Sequence, residues 1–196
     1  MKKLILPLIL IGVGGLLFIS GCNSYNTFVD IEEDVENSWS KVQSAYQRRA
    51  DLIPNLVNTV KGVADFEKST LTQVTEARAK ATSVNVDPSK LTPEKLKQFQ
   101  QAQTGLSQSL GRLLVVSERY PQLQANQNFR ELQVQLEGTE NRIKVARDRY
   151  NDVVTKYNKK VRRFPGTLFA SMFGFEERAQ FEAEAGAQQA PEVNFD

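Results

Sequence analysis

Apolar residues recur along most of the chain at alternating steps of three and four. Val35, Trp39, Val42 and Tyr46 begin the pattern, Ile53, Leu56, Val60 and Val63 continue it, and Val74, Ala77 and Ala81 follow. Such spacing winds one apolar stripe down a helix. Ser83 to Pro88 breaks it, because the residue before a proline is turned away from helical geometry. Thr92-Pro93-Glu94 restarts helix with an N-cap, a proline at the first helical position and an early acid. The stripe resumes at Leu96, Phe99, Leu106, Leu110, Leu113 and Tyr120, interrupted by Gln103 and Ser117. Tyr120-Pro121 ends that helix, and Asn126 or Asn128 caps the next. This last one carries the cleanest repeat: Phe129, Leu132, Leu136, Thr139, Ile143, Ala146 and Tyr150, then Val153, Tyr157, Val161 and Phe164, a heptad seam. No stretch alternates with a strand period. The pattern predicts an all-α fold, an antiparallel up-and-down bundle of three to four long helices.

Pro54 leaves two topologies. The stripe keeps its phase from Tyr46 through Arg49 to Ile53, and no loop residue intervenes. That favours a single helix, kinked where Pro54 removes a hydrogen bond. A tight reversal near Ala50-Asp51, with Asp51 as N-cap, would instead give four helices.

Composition narrows the chemistry. The 196 residues include no histidine and one cysteine. Histidine-based triads, His general bases and His metal ligands are therefore excluded, as is an internal disulfide. A net charge of +2 gives no basic face for nucleic acid. Removing Lys2 and Lys3 from the 25 basic residues leaves 23 against 23 acidic ones, so the slight basicity belongs to the N-terminus.

That N-terminus reads as an address. Met1-Lys2-Lys3 precedes an uncharged run from Leu4 to Ile19, shorter than the ~20 apolar residues of a spanning helix and close to a signal-peptide core. Ile19-Ser20-Gly21-Cys22 then resembles the lipobox of bacterial lipoproteins, which makes Cys22 the lipidation site. Two readings stand for residues 1–21, a cleaved lipoprotein signal and an uncleaved N-terminal anchor helix. Both place the remainder on the extracytoplasmic side of a cell membrane or outer membrane, with membrane lipid as a partner. Several acyl chains hold stably where one does not.

Longer motifs resemble a known family. Arg48 to Val57 (Arg-Arg-Ala-Asp-Leu-Ile-Pro-Asn-Leu-Val), Glu118 to Pro121, Leu136 to Ile143, and Ala146-Arg147 with Tyr150-Asn151 are similar to hallmark stretches of the LemA family. The resemblance runs from about Tyr25 to Phe175. It implies a membrane-tethered, extracytoplasmic four-helix bundle of poorly defined molecular role. The family usually begins with a transmembrane segment, and the lipobox departs from that.

Charged residues in these segments are the candidates for a polar seam: Arg49, Asp51, Glu67, Glu137, Glu140 and Arg142. Arg49 and Glu67 fall on the apolar stripe, and a buried charge must be paired. Pairing among themselves would fix helix register. A carboxylate metal site is the alternative, but the di-metal bundle pattern requires Glu-x-x-His. Neither a metal nor any other cofactor is expected. Gly138, inside the last long helix, suggests a close approach of another helix.

Lys156, Lys159, Lys160, Arg162 and Arg163 form a basic helix end, followed by an aromatic turn containing Phe164, Phe169, Phe173 and Phe175. The turn either caps the bundle end or docks on anionic lipid or a partner groove, with Lys159, Lys160, Arg162, Arg163, Phe169 and Phe173 in contact. The domains read as 22–181 for the bundle and 182–196 for a disordered acidic tail. The leading functional expectation is a non-enzymatic scaffold or adaptor whose helix faces bind a protein partner or another copy. A lipid-binding or membrane-shaping module using residues 156–175 is the alternative. No small-molecule substrate is expected.

Overall fold

The computed structural model describes residues 2–63, 66–84, 86–88 and 91–182, apart from the side chains of residues 2–11, 13, 14 and 16–19. Among the described residues there are six helices and no strand: α1 (Lys2–Lys61), α2 (Lys68–Ser83), α3 (Pro93–Ser117), α4 (Pro121–Ala125), α5 (Gln127–Arg162) and α6 (Gly166–Phe173). The all-α bundle holds. At 1.5 Å per residue α1 extends ~90 Å and α5 ~54 Å.

The caps form where the sequence placed them. The Thr92 hydroxyl accepts from the Lys95 N–H ahead of α3, and the Asn126 side chain accepts from the Phe129 N–H ahead of α5. α5 ends at Arg162, before Pro165. Phe164, expected to close the heptad seam, lies beyond the helix and is 79% exposed.

Pro54 does not break α1, and no reversal occurs at Ala50-Asp51. A proline in a helix leaves the carbonyl four residues earlier without its donor. Here that carbonyl belongs to Ala50, and the Arg78 Nε of α2 donates to it at 2.8 Å. The lost hydrogen bond is remade between helices and fastens α2 to α1.

The chain turns further on, where Gly62 and Val63 leave the helix and the Val63 N–H donates to the Val60 carbonyl. Phe66 is buried at this end against the Tyr120 ring, 4.9 Å between centroids, and Arg119 pairs with Glu67 at 2.7 Å. The stripe expected to run on to Ala81 is thus divided between α1 and α2. The apolar period survives the turn because both helices face one core.

α1 packs along α5, and α2 along α3. Trp39 meets Tyr150 while Arg49 meets Glu140, so α1 and α5 run antiparallel. Arg112 donates to Gln73 while Gln103 donates to the Ala81 carbonyl, so α2 and α3 do the same. The core falls into two clusters. One, rich in aromatic rings, holds Phe28, Trp39, Tyr46, Phe99, Tyr150 and Tyr157. The other, largely aliphatic, holds Ile53, Leu56, Val74, Leu106, Leu113 and Leu136.

After α5 the chain folds back on the first cluster. Gly166 allows this: a Cβ there would sit 2.4 Å from the Lys160 carbonyl oxygen. Gly174, at φ 79°, ends α6 in the left-handed region. Beyond it, residues up to Glu182 form a non-helical strap along α5.

Candidate functional site

Three features stand out once the helices are in place: a polar layer across the bundle, an apolar end beside Cys22, and the strap.

The polar layer centres on Arg49, 1% exposed. One guanidinium nitrogen donates to Glu140 Oε1 at 2.6 Å and to Ser107 Oγ at 2.7 Å. The other donates to the Gln103 side chain at 2.7 Å and to the Gln103 carbonyl at 3.2 Å. Gln103 in turn donates to the Ala81 carbonyl at the end of α2. One arginine therefore ties α1 to α3 and α5, and through Gln103 to α2. Its guanidinium carbon also lies 5.1 Å from the Tyr46 ring centroid. Glu140 is 48% exposed, so water screens the outer end of the pair.

The other four seam candidates lie elsewhere. Asp51 is exposed and accepts from Gln47, a neighbour on its own helix. Glu67 pairs with Arg119 at the far end of the bundle. Glu137 and Arg142 are exposed on α5, off the face that carries Leu136 and Ile143. Gly138 is exposed as well, and a Cβ there would meet nothing within 4 Å. It does not mark an approach inside the bundle. The partners Gln103 and Ser107 were missed because neutral polar residues on a helix read equally as surface. Gln103 interrupting the α3 stripe was the available signal.

The antiparallel course of α5 returns α6 to the Cys22 end of α1. Phe169 lies 3.3 Å from where a Gly21 Cβ would be, the Tyr25 and Phe173 rings are 5.1 Å apart, and Phe28 stacks on Phe175 at 4.9 Å. Cys22 is exposed beside them. Phe169 is half-buried and Ala170 buried, whereas Leu168 and Met172, one turn apart, are 60% and 64% exposed. The turn both covers the bundle end and presents an apolar outer face. Leu168 and Met172, which the aromatic count overlooked, form that face more fully than Phe169. Lys159, Arg162 and Arg163 are exposed nearby and Lys160 partly so; Arg162 approaches Glu177 at 3.9 Å.

The strap is held by side-chain amides. Asn158 donates to the Arg178 carbonyl and accepts from the Arg178 N–H; Asn151 does the same with Phe181. Tyr150 donates to the Ala179 carbonyl at 2.9 Å, and Gln180 reaches back to Thr155 at 2.6 Å. Burial pushes the Tyr150 hydroxyl above the usual tyrosine range, so it stays a donor. Arg178 pairs with Glu32 of α1. Burial opposes the arginine's charge, but the hydrogen bond and charge of Glu32 outweigh it and raise its pKa. Phe181 stacks on Trp39 at 5.9 Å and meets Tyr150 edge-on at 5.5 Å. Glu182, taken as the start of a disordered tail, has its carbonyl held by Gln100 and Arg147. The rest of that expectation, 183–196, lies outside the described residues.

Among the described residues no three carboxylate or cysteine groups gather where they could hold a metal ion, and no helix is long and apolar enough to cross a membrane. The apolar side chains between Leu4 and Ile19 fall outside that description, and with them the choice between signal and anchor.

An all-α bundle of long antiparallel helices, tied across its middle by a buried arginine and sealed at one end by a C-terminal strap, is the class of protein seen here. The chain belongs to the LemA family, whose family model matches residues 38–195. It is similar to magnetosome protein MamQ 2 of Paramagnetospirillum magneticum, 28% identical over 184 residues, covering 85% of this chain and 67% of that protein. It is similar to protein LemA of Metamycoplasma hominis, 24% identical over 169 residues, covering 86% and 74%. Magnetosome protein MamQ of Magnetospirillum gryphiswaldense is 26% identical over 184 residues, covering 85% and 67%. None of these names carries an enzyme activity.

Proposed function

We propose that this protein is a membrane-tethered, extracytoplasmic scaffold that works without catalysis and engages another protein through the outer flank of α5. The observation that carries this reading is an exposed seam on that helix. Val134, Gly138, Asn141 and Val145 follow one another at steps of four, three and four, all solvent-facing. An open groove of about 890 Å³ between α1 and α5 runs alongside, with Asn141, Val145 and Val153 in its wall. Apolar residues at heptad spacing, a glycine that admits a close backbone and an amide that fixes register are what a second helix needs. Crosslinking in the native membrane tests this. p-Benzoylphenylalanine in place of Arg142, with Cys22 left intact, is expected to yield a discrete crosslinked product on irradiation that Gly138→Leu with Val145→Glu abolishes. A chain that forms no such product, and stays monomeric by light scattering, overturns the reading.

A second reading concerns the anchor end. α6 lies against the Cys22 end of α1 through Phe169 and keeps Leu168 and Met172 exposed, with Arg162 and Arg163 exposed as well. That arrangement suits an interfacial helix seated in the headgroup layer next to a lipidated cysteine. Lipidation with cleavage before Cys22 would remove Gly21 and free the ring of Phe169. Flotation with anionic vesicles of a chain begun at Asn23, which lacks both the apolar run and the acyl chains, should fall when Leu168 and Met172 become Asp, and unchanged flotation removes this reading.

A further inference from the structure

The strap is held on α5 by paired hydrogen bonds to its main chain. Asn151 and Asn158 each offer one donor and one acceptor to a single residue of the strap, as a neighbouring β-strand would. The registers match: seven residues of helix rise ~10.5 Å. Three residues of non-helical chain, from Arg178 to Phe181, cover ~9 Å in a threefold, polyproline-like repeat, which returns both residues to the same side. Strap numbering rises as α5 numbering falls, so the segment is read antiparallel to the helix. Between the two main-chain clamps, the Tyr150 hydroxyl takes the Ala179 carbonyl. Two side chains make specific contacts, Arg178 with Glu32 and Phe181 between the Trp39 and Tyr150 rings with the Arg147 guanidinium 4.8 Å from its centroid. Main-chain hydrogen bonds for affinity with side-chain pockets for specificity are the general means by which peptide-recognition sites work.

We infer that the face of α1 and α5 containing Glu32, Trp39, Tyr150, Asn151 and Asn158 is a recognition site for an extended Arg-x-x-Phe segment, filled in cis by residues 178–181 and exchangeable with the same segment of a second copy. This site is on the opposite flank of α5 from the Val134–Val145 seam and does not depend on it. The second copy is the fitting occupant because its segment satisfies every contact identically. The strap also follows a left-handed glycine, Gly174, that separates it from α6, so exchange moves one short segment and threads nothing. In cis the tether keeps the local strap concentration high, so a free peptide competes poorly against the intact chain.

Two measurements test this on the full chain in membranes. A labelled synthetic peptide of residues 176–182 should bind the R178A/F181A chain, whose own strap is weakened, at least tenfold more tightly than the unaltered chain. Adding N151L and N158L should abolish that binding. Equal binding to all three chains, or to none, overturns the site. For exchange, p-benzoylphenylalanine replaces Phe181 in a copy carrying N151L/N158L, coexpressed with the R178A/F181A copy. Irradiation should join the two copies and place the link near Trp39 of the second. Loss of that product when the second copy also carries N151L/N158L supports exchange. A product that persists in that control, or none from the first pair while the peptide binds, overturns exchange and leaves a cis-only site.

Discussion

The two halves of the bundle solve the same packing problem differently. On the far side of the Arg49 layer, α1, α2, α3 and α5 close an aliphatic core, with Leu106 and Leu113 wholly buried. On the Cys22 side, α2 has ended and fewer long helices share the work. Large rings fill that space, and the seal is completed by α6 and the strap. Four helices can bury small aliphatic side chains alone. Where a helix is missing, the fold uses aromatic bulk and a non-helical strap. The distal half is thus closed by helices alone, whereas the Cys22 half relies on α6 and the strap for part of its seal.

The widest contrast should come from truncating one core residue in each half. Leu106→Ala creates a cavity inside closed helices and is expected to cost about 4 kcal/mol in urea unfolding. Phe181→Ala should cost less, because the strap undocks and caps the loss; its signature is a red shift in the emission of Trp39, the chain's single tryptophan. Equal losses would mean that the halves are not distinct.

The layer between the halves gives the next effect, with an unexpected order. Glu140→Gln leaves the buried Arg49 charge without its anion and should cost about 3 kcal/mol, at the low end of the range because water reaches Glu140. Arg49→Met removes the charge itself and fills the space. It leaves chiefly the Gln103 amide short of a partner, at about 1–2 kcal/mol. Thermal melts of both variants decide the order, and the reverse order would make Arg49 a packing element more than a charge.

Smaller again is Gly166→Ala, whose Cβ meets the Lys160 carbonyl. It should displace α6 and lower stability by about 1–2 kcal/mol, with hydrogen exchange in α2 and α3 changed by no more than that global loss. Smallest is the Leu168→Asp and Met172→Asp pair. Both positions are exposed, so the melt should move by no more than about 0.5 kcal/mol per site, even where vesicle flotation is lost.

The sequence made the helices legible because period, caps and prolines agreed. Thr92 and Asn126 act locally, within three residues of their targets, so their roles could be read directly. Arg49 was legible as a charge on an apolar stripe, and Glu140 as a charged residue in a neighbouring motif. What stayed hidden depends on contacts distant in sequence. The turn at Gly62 was masked because the stripe keeps its phase across it, and Pro54 drew attention as the expected break. The compensation of Pro54 by Arg78 requires knowing that α2 lies alongside. Asn151 and Asn158 stand seven apart on one helix face, a pattern visible in the sequence. Their use, however, depends on a strap returning from twenty to thirty residues further on.

Native-state hydrogen exchange on Phe181→Ala, with amides followed along the whole chain, tests the division between the halves most directly. Protection is expected to fall most in α1 and α5 around Trp39, Tyr150 and Asn158, while the amides of α2, α3 and the distal part of α5 lose no more than the drop in overall unfolding free energy. A uniform fall across both halves would contradict it, because the strap would then be an inseparable part of one cooperative core.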